Sequence, residues 1–251
     1  MKTSGDMGKN RTGVRMSPKE AKAMEEAAAN IHPPPGDESK IAEVRESYHA
    51  RAIPVGSVPP PGSVKGMAKA AASAVTGKKA SVLLDKMGER MAFERTGVRL
   101  YEALITKLAS AGEVDSIGLT EEALRKIQDD ELRHMQIVAE AIEEMGADPT
   151  AETPCADVAG VQAKGILQVL TDPRTTLAQG LSAILTAELV DNASWEMLVD
   201  LARDFGNDEA ANAFEDARRQ EEEHVRLVRG WLEALTRQES LGAPAHAPPP
   251  A

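Results

Sequence analysis

From residue 81 onward, apolar residues return every three or four positions along four long stretches, the period of helices that each bury one face. The pattern predicts a first helix over about 81–110 and a second over about 121–145, opened by Thr120 and closed by Gly146. A third starts near Asp172-Pro173, a cap followed by a first-turn proline, and ends before Gly206; a fourth runs from about Asp208 to Thr236. Two connections are short, whereas the one between the second and third helices takes some 26 residues and leaves room for a short helix at 158–170. An all-α four-helix bundle with one long crossover follows, its second and third helices parallel.

Residues 1–80 lack this periodicity and read as a flexible Pro/Ala-rich extension without a core of its own. Ser17-Pro18-Lys19-Glu20 sets out a helix start, and Pro33, Pro34 and Pro35 stop that helix after Asn30. A second proline cluster follows at Pro59 to Pro61, and residues 67–75 form at most a loose helix. The expected organisation is thus an extension over 1–80, a bundle over 81–238 and a proline-rich tail over 239–251.

The four apolar stripes share one anomaly. The first reads Met87, Met91, Glu94, Val98, Tyr101, Ile105, Leu108, and the third Leu181, Leu185, Glu188, Asn192, Trp195, Val199, Ala202. The second reads Leu124, Ile127, Glu131, His134, Val138, Ala141, Met145, and the fourth Phe214, Ala217, Glu221, His224, Val228, Trp231, Leu235. Each is apolar except at one level, where acids and histidines intrude. The first hairpin therefore repeats in the second, offset by 94 residues at the first glutamate and 90 at the histidine.

An unpaired buried carboxylate costs several kcal/mol, so something must compensate these. Four carboxylates and two imidazoles at one level suit two adjacent first-row metal ions, because carboxylates bridge cations and cancel their charge. In each Glu-x-x-His, both side chains leave the same face of one turn and can share an ion. Oxygen-rich coordination with one nitrogen per ion fits iron or manganese better than tetrahedral zinc. The competing reading is a buried polar network of Glu–His or Glu–Arg pairs. Against it, the other three of the five histidines (His32, His49, His246) fall in the extensions.

Composition narrows the picture further. At 42% hydrophobic, 27% charged and only 3% aromatic, the chain favours a helical, globular fold. No apolar run approaches the ~20 residues that span a bilayer. Residues 1–80 carry 13 Lys/Arg against 8 Asp/Glu, and the remaining residues 16 against 32, so the body is strongly acidic. Such a body attracts cations and repels nucleic acid, and no nucleic-acid motif is present. A single cysteine, Cys155, and the lack of an apolar leader in MKTSGDMGKNRTGVRM point to a cytoplasmic location.

The segments ERTGVRLY (94–101), ELRH (131–134), ELVDNASW (188–195) and EEEH (221–224) resemble the ferritin-like superfamily of ferritins, bacterioferritins, rubrerythrins, manganese catalases and di-iron oxygenases. The resemblance covers about residues 81–238. It implies two iron ions, or manganese, with Glu94 and Glu188 as terminal ligands, Glu131 and Glu221 as bridges, and His134 and His224 on one ion each. Rubrerythrin-like proteins carry an extra exchangeable acid where Asp191 stands, so Asp191 is either an additional ligand or an outer, solvated group. Asp130-Glu131-Leu132-Arg133-His134 is similar to a motif of bacterial di-iron monooxygenases, which implies that Asp130 supports His224 through its other ring nitrogen; the alternative is a surface acid. The fourth helix has Gln220 at the matching place, so this motif is half present. Tyr101 and Trp195 are expected to pack beside the site, with a redox relay as the second reading. No CxxC pair is available for a rubredoxin iron centre.

The implied function is reaction with O₂ or H₂O₂, oxidising Fe(II) and protecting against iron and peroxide stress, with a reductant the sequence does not identify. Iron storage in a homo-oligomeric shell, oxygenation of an organic substrate, and a metal-free interaction protein are the alternatives.

Overall fold

A computed structural model describes residues 17–30, 38–53, 55–64, 66–68, 71, 79–111 and 114–241. The proline break at Pro33–Pro35, most of the expected helix at 67–75, and the tail after Leu241 lie outside the described residues. The described residues contain helices and no strand. None of these helices is long and apolar enough to cross a membrane.

The chain divides into two compact units, Met1–Ile53 and Pro54–Ala251. The first contains α1 (Pro18–Ala29) and α2 (Ser39–His49), neither of which buries a residue. The start of α1 follows its sequence signature, with Pro18 in the first turn and the Ser17 hydroxyl accepting a hydrogen bond from the Glu20 amide.

The second unit is built on α3 (Ala80–Leu108), α4 (Glu121–Glu144), α5 (Pro154–Thr171), α6 (Leu177–Asp204) and α7 (Asp208–Ser240). Helices α3–α4 and α6–α7 form two hairpins, and α5 is the crossover, packed along α3. Across the bundle Glu94 meets Trp195 while Tyr101 meets Glu188, so α3 and α6 run antiparallel. Likewise Asp130 meets His224 and Gln220 meets His134, so α4 and α7 are antiparallel. The diagonal helices, α4 with α6 among them, are therefore parallel, as a long crossover requires.

Local chemistry sets the helix ends. Thr120 caps α4 by accepting from the Ala123 amide, and Gly146 and Gly206 take left-handed φ values of 79° and 71° just past α4 and α6. The third predicted boundary is displaced. Asp172 closes α5, its carboxylate accepting from the Arg174 amide, and α6 starts four residues later with a full capping box between Thr176 and Gln179. The capping box satisfies two amides reciprocally and prevails over the Asp-Pro signal. The crossover helix is also longer than expected, because Thr153 caps it and Pro154 begins it.

The chain joins the bundle before residue 80. Val58 packs on the core and the Gly62 amide donates to the Gly146 carbonyl at 2.9 Å. Cys155 is half-buried, its amide donating to the Asp85 carboxylate at 2.9 Å.

The bundle has two apolar slabs. Leu100, Leu104, Leu124, Ile127, Leu181, Ile184 and Trp231 fill one end; Met87, Val138, Leu198, Val199 and Phe214 fill the other. Between them lies a buried polar layer of Arg90, Glu94, Glu131, His134, Glu188, Asp191, Glu221 and His224. The expected stripes are rotated slightly at this level: Met91, Val98, Leu185 and Asn192 are half-buried, while Arg90, Gly97, Ile184 and Asp191 take the inner positions.

Replacing Thr176 with Ala removes one half of the capping box and should cost about 1 kcal/mol. Thermal unfolding followed by circular dichroism should show a melting temperature lower by roughly 2–4 °C.

Candidate metal centre

Each of the four long helices contributes one glutamate to the polar layer, and the two Glu-x-x-His turns add the histidines. Glu94, Glu131, His134, Glu188, Glu221 and His224 all point to the same level, and all are at most 3% exposed. Their potential ligand atoms form overlapping groups, Glu94–His134–Glu221 and Glu131–Glu188–Glu221–His224, within each of which the atoms lie within 4.8 Å of one another.

Glu221 is the hinge of the arrangement. One of its oxygens lies 2.7 Å from His134 Nδ1 and the other 3.2 Å from His224 Nδ1. The imidazole rings are 6.0 Å apart, so a single carboxylate faces both. Glu94 Oε2 is 3.7 Å from His134 Nδ1, while Glu188 Oε2 and Glu131 Oε1 are 3.8 and 3.6 Å from His224 Nδ1.

The outer faces of these groups are tied down. Trp195 Nε1–H donates to Glu94 Oε1 at 2.9 Å and Tyr101 O–H donates to Glu188 Oε1 at 2.5 Å. The two aromatics at equivalent places in the repeat thus hold each other's glutamate, beyond the packing expected of them. Gln220 Oε1 lies 2.8 Å from His134 Nε2, and Asp130 Oδ2 lies 3.4 Å from His224 Nε2. Both histidines therefore turn Nδ1 inward and Nε2 outward, the arrangement that fixes a ligand tautomer. Asp130 occupies the supporting position implied for it, and Gln220 fills the equivalent position with a neutral amide.

Asp191 is not solvated: it is 1% exposed and its Oδ1 lies 2.5 Å from Arg90 Nη1. Arg90 also places Nε 2.9 Å from Glu94 Oε1. Apolar periodicity passed over Arg90, because a guanidinium is not counted as an inner residue; its spacing of four from Glu94 was the available signal.

Gly97 completes the layer. A Cβ there would lie 2.0 Å from Glu131 Oε2 and 2.8 Å from its carboxyl carbon, so any larger residue would force that carboxylate to move within the closed layer.

The residues present fit cations. Glu94 Oε2, Glu131 Oε1, Glu188 Oε2, Glu221 Oε1 and His134 Nδ1 are buried and inward-facing, yet without a partner in hydrogen-bonding geometry. Such atoms are costly to bury unless an ion or a proton satisfies them. Arg90 and Asp191 neutralise each other, leaving four glutamates, whose charge two divalent ions would balance.

A family profile described as rubrerythrin matches residues 87–232. The chain belongs to the rubrerythrin family. This is a ferritin-like di-iron family, and the match spans all four helices that carry the polar layer. No curated protein and no solved structure matches the chain.

In this rubrerythrin-family bundle, protons hold the unshared charge of the layer in check. Burial disfavours a charged His134 ring, but Glu221 and Glu94 outweigh it and push its pKa up to about 10. Burial followed by the Glu221 charge pushes Glu188 up to about 8, and burial raises Glu131 well above the carboxylate range. Against burial, the two imidazoles hold Glu221 down at about 2.

Two predictions follow from this geometry. Ala in place of Gly in a helix normally stabilises by about 1 kcal/mol, but Gly97→Ala should destabilise by about 1–3 kcal/mol because the methyl overpacks a closed layer. Urea denaturation of metal-free protein distinguishes the two signs. The second concerns pH. His134, raised from 6.5 to about 10, contributes stability that is complete below 6.5 and lost as pH rises through 10. Glu188, raised from 4.5 to about 8, is increasingly forced to ionise while buried over that interval. Both effects lower stability with rising pH, so the melting temperature of protein in chelator should fall from pH 6.5 to 10.

Proposed function

We propose that the polar layer binds two iron ions and that the protein consumes H₂O₂ or O₂ by oxidising Fe(II), protecting its cell from iron and peroxide. The observation that carries this reading is the division of labour among carboxylate oxygens. Glu94 and Glu188 each have one oxygen bonded outward, to Trp195 and Tyr101, and one oxygen left free and inward. Glu221 offers one oxygen toward each histidine. This supports Glu94 with His134 on one ion, Glu188 with His224 on the other, and Glu131 and Glu221 between them.

Two bound Fe(II) ions would supply the two electrons that, with two protons, convert one H₂O₂ to two water molecules. The chain's own contributions are positional and protic. Trp195 and Tyr101 hold the terminal carboxylates in one rotamer, and Gln220 and Asp130 aim the imidazoles inward. The apolar slabs exclude bulk water from the layer, which strengthens its electrostatic interactions. Tyr101 O–H bonds a buried carboxylate; burial and the Glu188 charge keep the phenol protonated, its pKa raised well above the usual value. Asp191, held by Arg90, stays out of the ligand set on this reading. The electron donor that returns the ions to Fe(II) lies outside the chain, and the single cysteine suits a reducing, cytoplasmic setting.

Anaerobic titration with Fe(II) should saturate at two ions per chain, and subsequent H₂O₂ should be consumed at one molecule per two Fe(II). The double variant His134→Ala/His224→Ala should lose stoichiometric uptake. Binding of two ions should raise the melting temperature, since a ligand at 100–1,000 times its dissociation constant stabilises by roughly 3–4 kcal/mol. Unchanged iron uptake by the double variant would refute the dinuclear assignment.

A further inference from the structure

The internal repeat superposes Glu94 on Glu188, Tyr101 on Trp195, Glu131 on Glu221 and His134 on His224. It breaks at three places in the polar layer: Arg90 corresponds to Ile184, Gly97 to Asp191, and Asp130 to Gln220. Each break puts a charge on one side of the layer and none on the other.

The first two breaks compensate each other, because Arg90 and Asp191 form one buried ion pair. The pair still leaves a guanidinium nitrogen 2.9 Å from Glu94 Oε1, whereas the equivalent oxygen of Glu188 meets only the neutral Tyr101 hydroxyl. The third break is uncompensated within the repeat. Nε2 of His224 faces the Asp130 carboxylate, and Nε2 of His134 faces the Gln220 amide.

Both differences act in the same direction. A carboxylate at the outer nitrogen of a ligand imidazole raises its basicity and strengthens its hold on a cation, and loss of such a partner typically costs 10–100-fold in affinity. A guanidinium 2.9 Å from one carboxylate oxygen lowers the negative charge available at the other by direct electrostatic attraction, which a neutral phenol does not match. The Glu188–His224 half is thus the more electron-rich donor set, and the Glu94–His134 half the poorer.

Resting on the dinuclear reading above, we infer that the two cation positions are unequal: the position at Glu188 and His224 fills first and retains its ion, and the position at Glu94 and His134 is the exchangeable one. Asp191 is the feature that would reverse this order. One of its oxygens lies within 4.8 Å of ligand atoms of Glu94, Glu131 and Glu221. Released from Arg90, it would add a carboxylate to the Glu94 side; held by Arg90, it does not.

Titration of the full chain with Mn(II) under anaerobic conditions, reading free Mn(II) by electron paramagnetic resonance, tests the inference without any turnover. Two steps are expected whose dissociation constants differ by about 10–100-fold beyond the statistical spread of identical sites. His134→Ala should abolish the weak step and leave the tight one, and His224→Ala should do the opposite. Asp130→Asn should weaken the first step about tenfold or more, while Gln220→Asp should tighten the second. Two steps of statistical spacing, or loss of the tight step in His134→Ala, would overturn the order; the latter result would assign Asp191 to the Glu94 side. Failure of the unmodified chain to take up two ions would instead refute the dinuclear reading itself.

Discussion

Four carboxylates at one depth of an apolar bundle are the constraint to which the surrounding structure answers. Glutamate is rarely buried without a partner, and four together repel as well as desolvate. The layer survives because its outward atoms are held by Trp195, Tyr101, Gln220 and Asp130, with Arg90 at ion-pair distance from Glu94 and Asp191. Five inward atoms, Glu94 Oε2, Glu131 Oε1, Glu188 Oε2, Glu221 Oε1 and His134 Nδ1, are left over. That division is the one a cation site would need, whereas a structural polar network would close its bonding on itself.

The satisfied contacts also determine precision. Each aromatic donor sits on one hairpin and grips the glutamate of the other, so Glu94 and Glu188 are both held across the interface between the hairpins. Geometry at the centre then depends on the packing of α3 against α6, which the slabs above and below enforce. Gly97 contributes by vacancy of side chain, admitting the Glu131 carboxylate where any larger residue would displace it.

Much of this was legible in the chain because helical period and cap chemistry are local. Thr120, Gly146 and Gly206 mark their helix ends, and the six ligand-type residues interrupt apolar stripes at a common level. Three features escaped local reading. Asp172-Pro173 has the form of a helix start, yet competes with the reciprocal capping of Thr176 and Gln179 only four residues on, and ends the preceding helix instead. Arg90 is invisible to a search for apolar periodicity, and its burial makes sense only once Asp191, 101 residues away, is opposite it. The hydrogen bonds of Tyr101 and Trp195 are likewise cross-chain contacts between distant segments; composition signals packing there but not the acceptor.

The crossover α5 has a consequence beyond connecting two hairpins. At 18 residues it is about 27 Å long, enough to carry the chain back along the bundle so that the second hairpin enters against the first. Two identical hairpins could build a similar centre as a twofold dimer, but every substitution would then appear twice. A guanidinium at position 90 would then face Gly97 of the second copy, where the single chain has Asp191, and would find no carboxylate. Joined covalently, the halves accumulate changes independently, and compensating pairs such as Arg90 with Asp191 become accessible. In evolutionary terms the strap is what allows a duplicated motif to stop being symmetric.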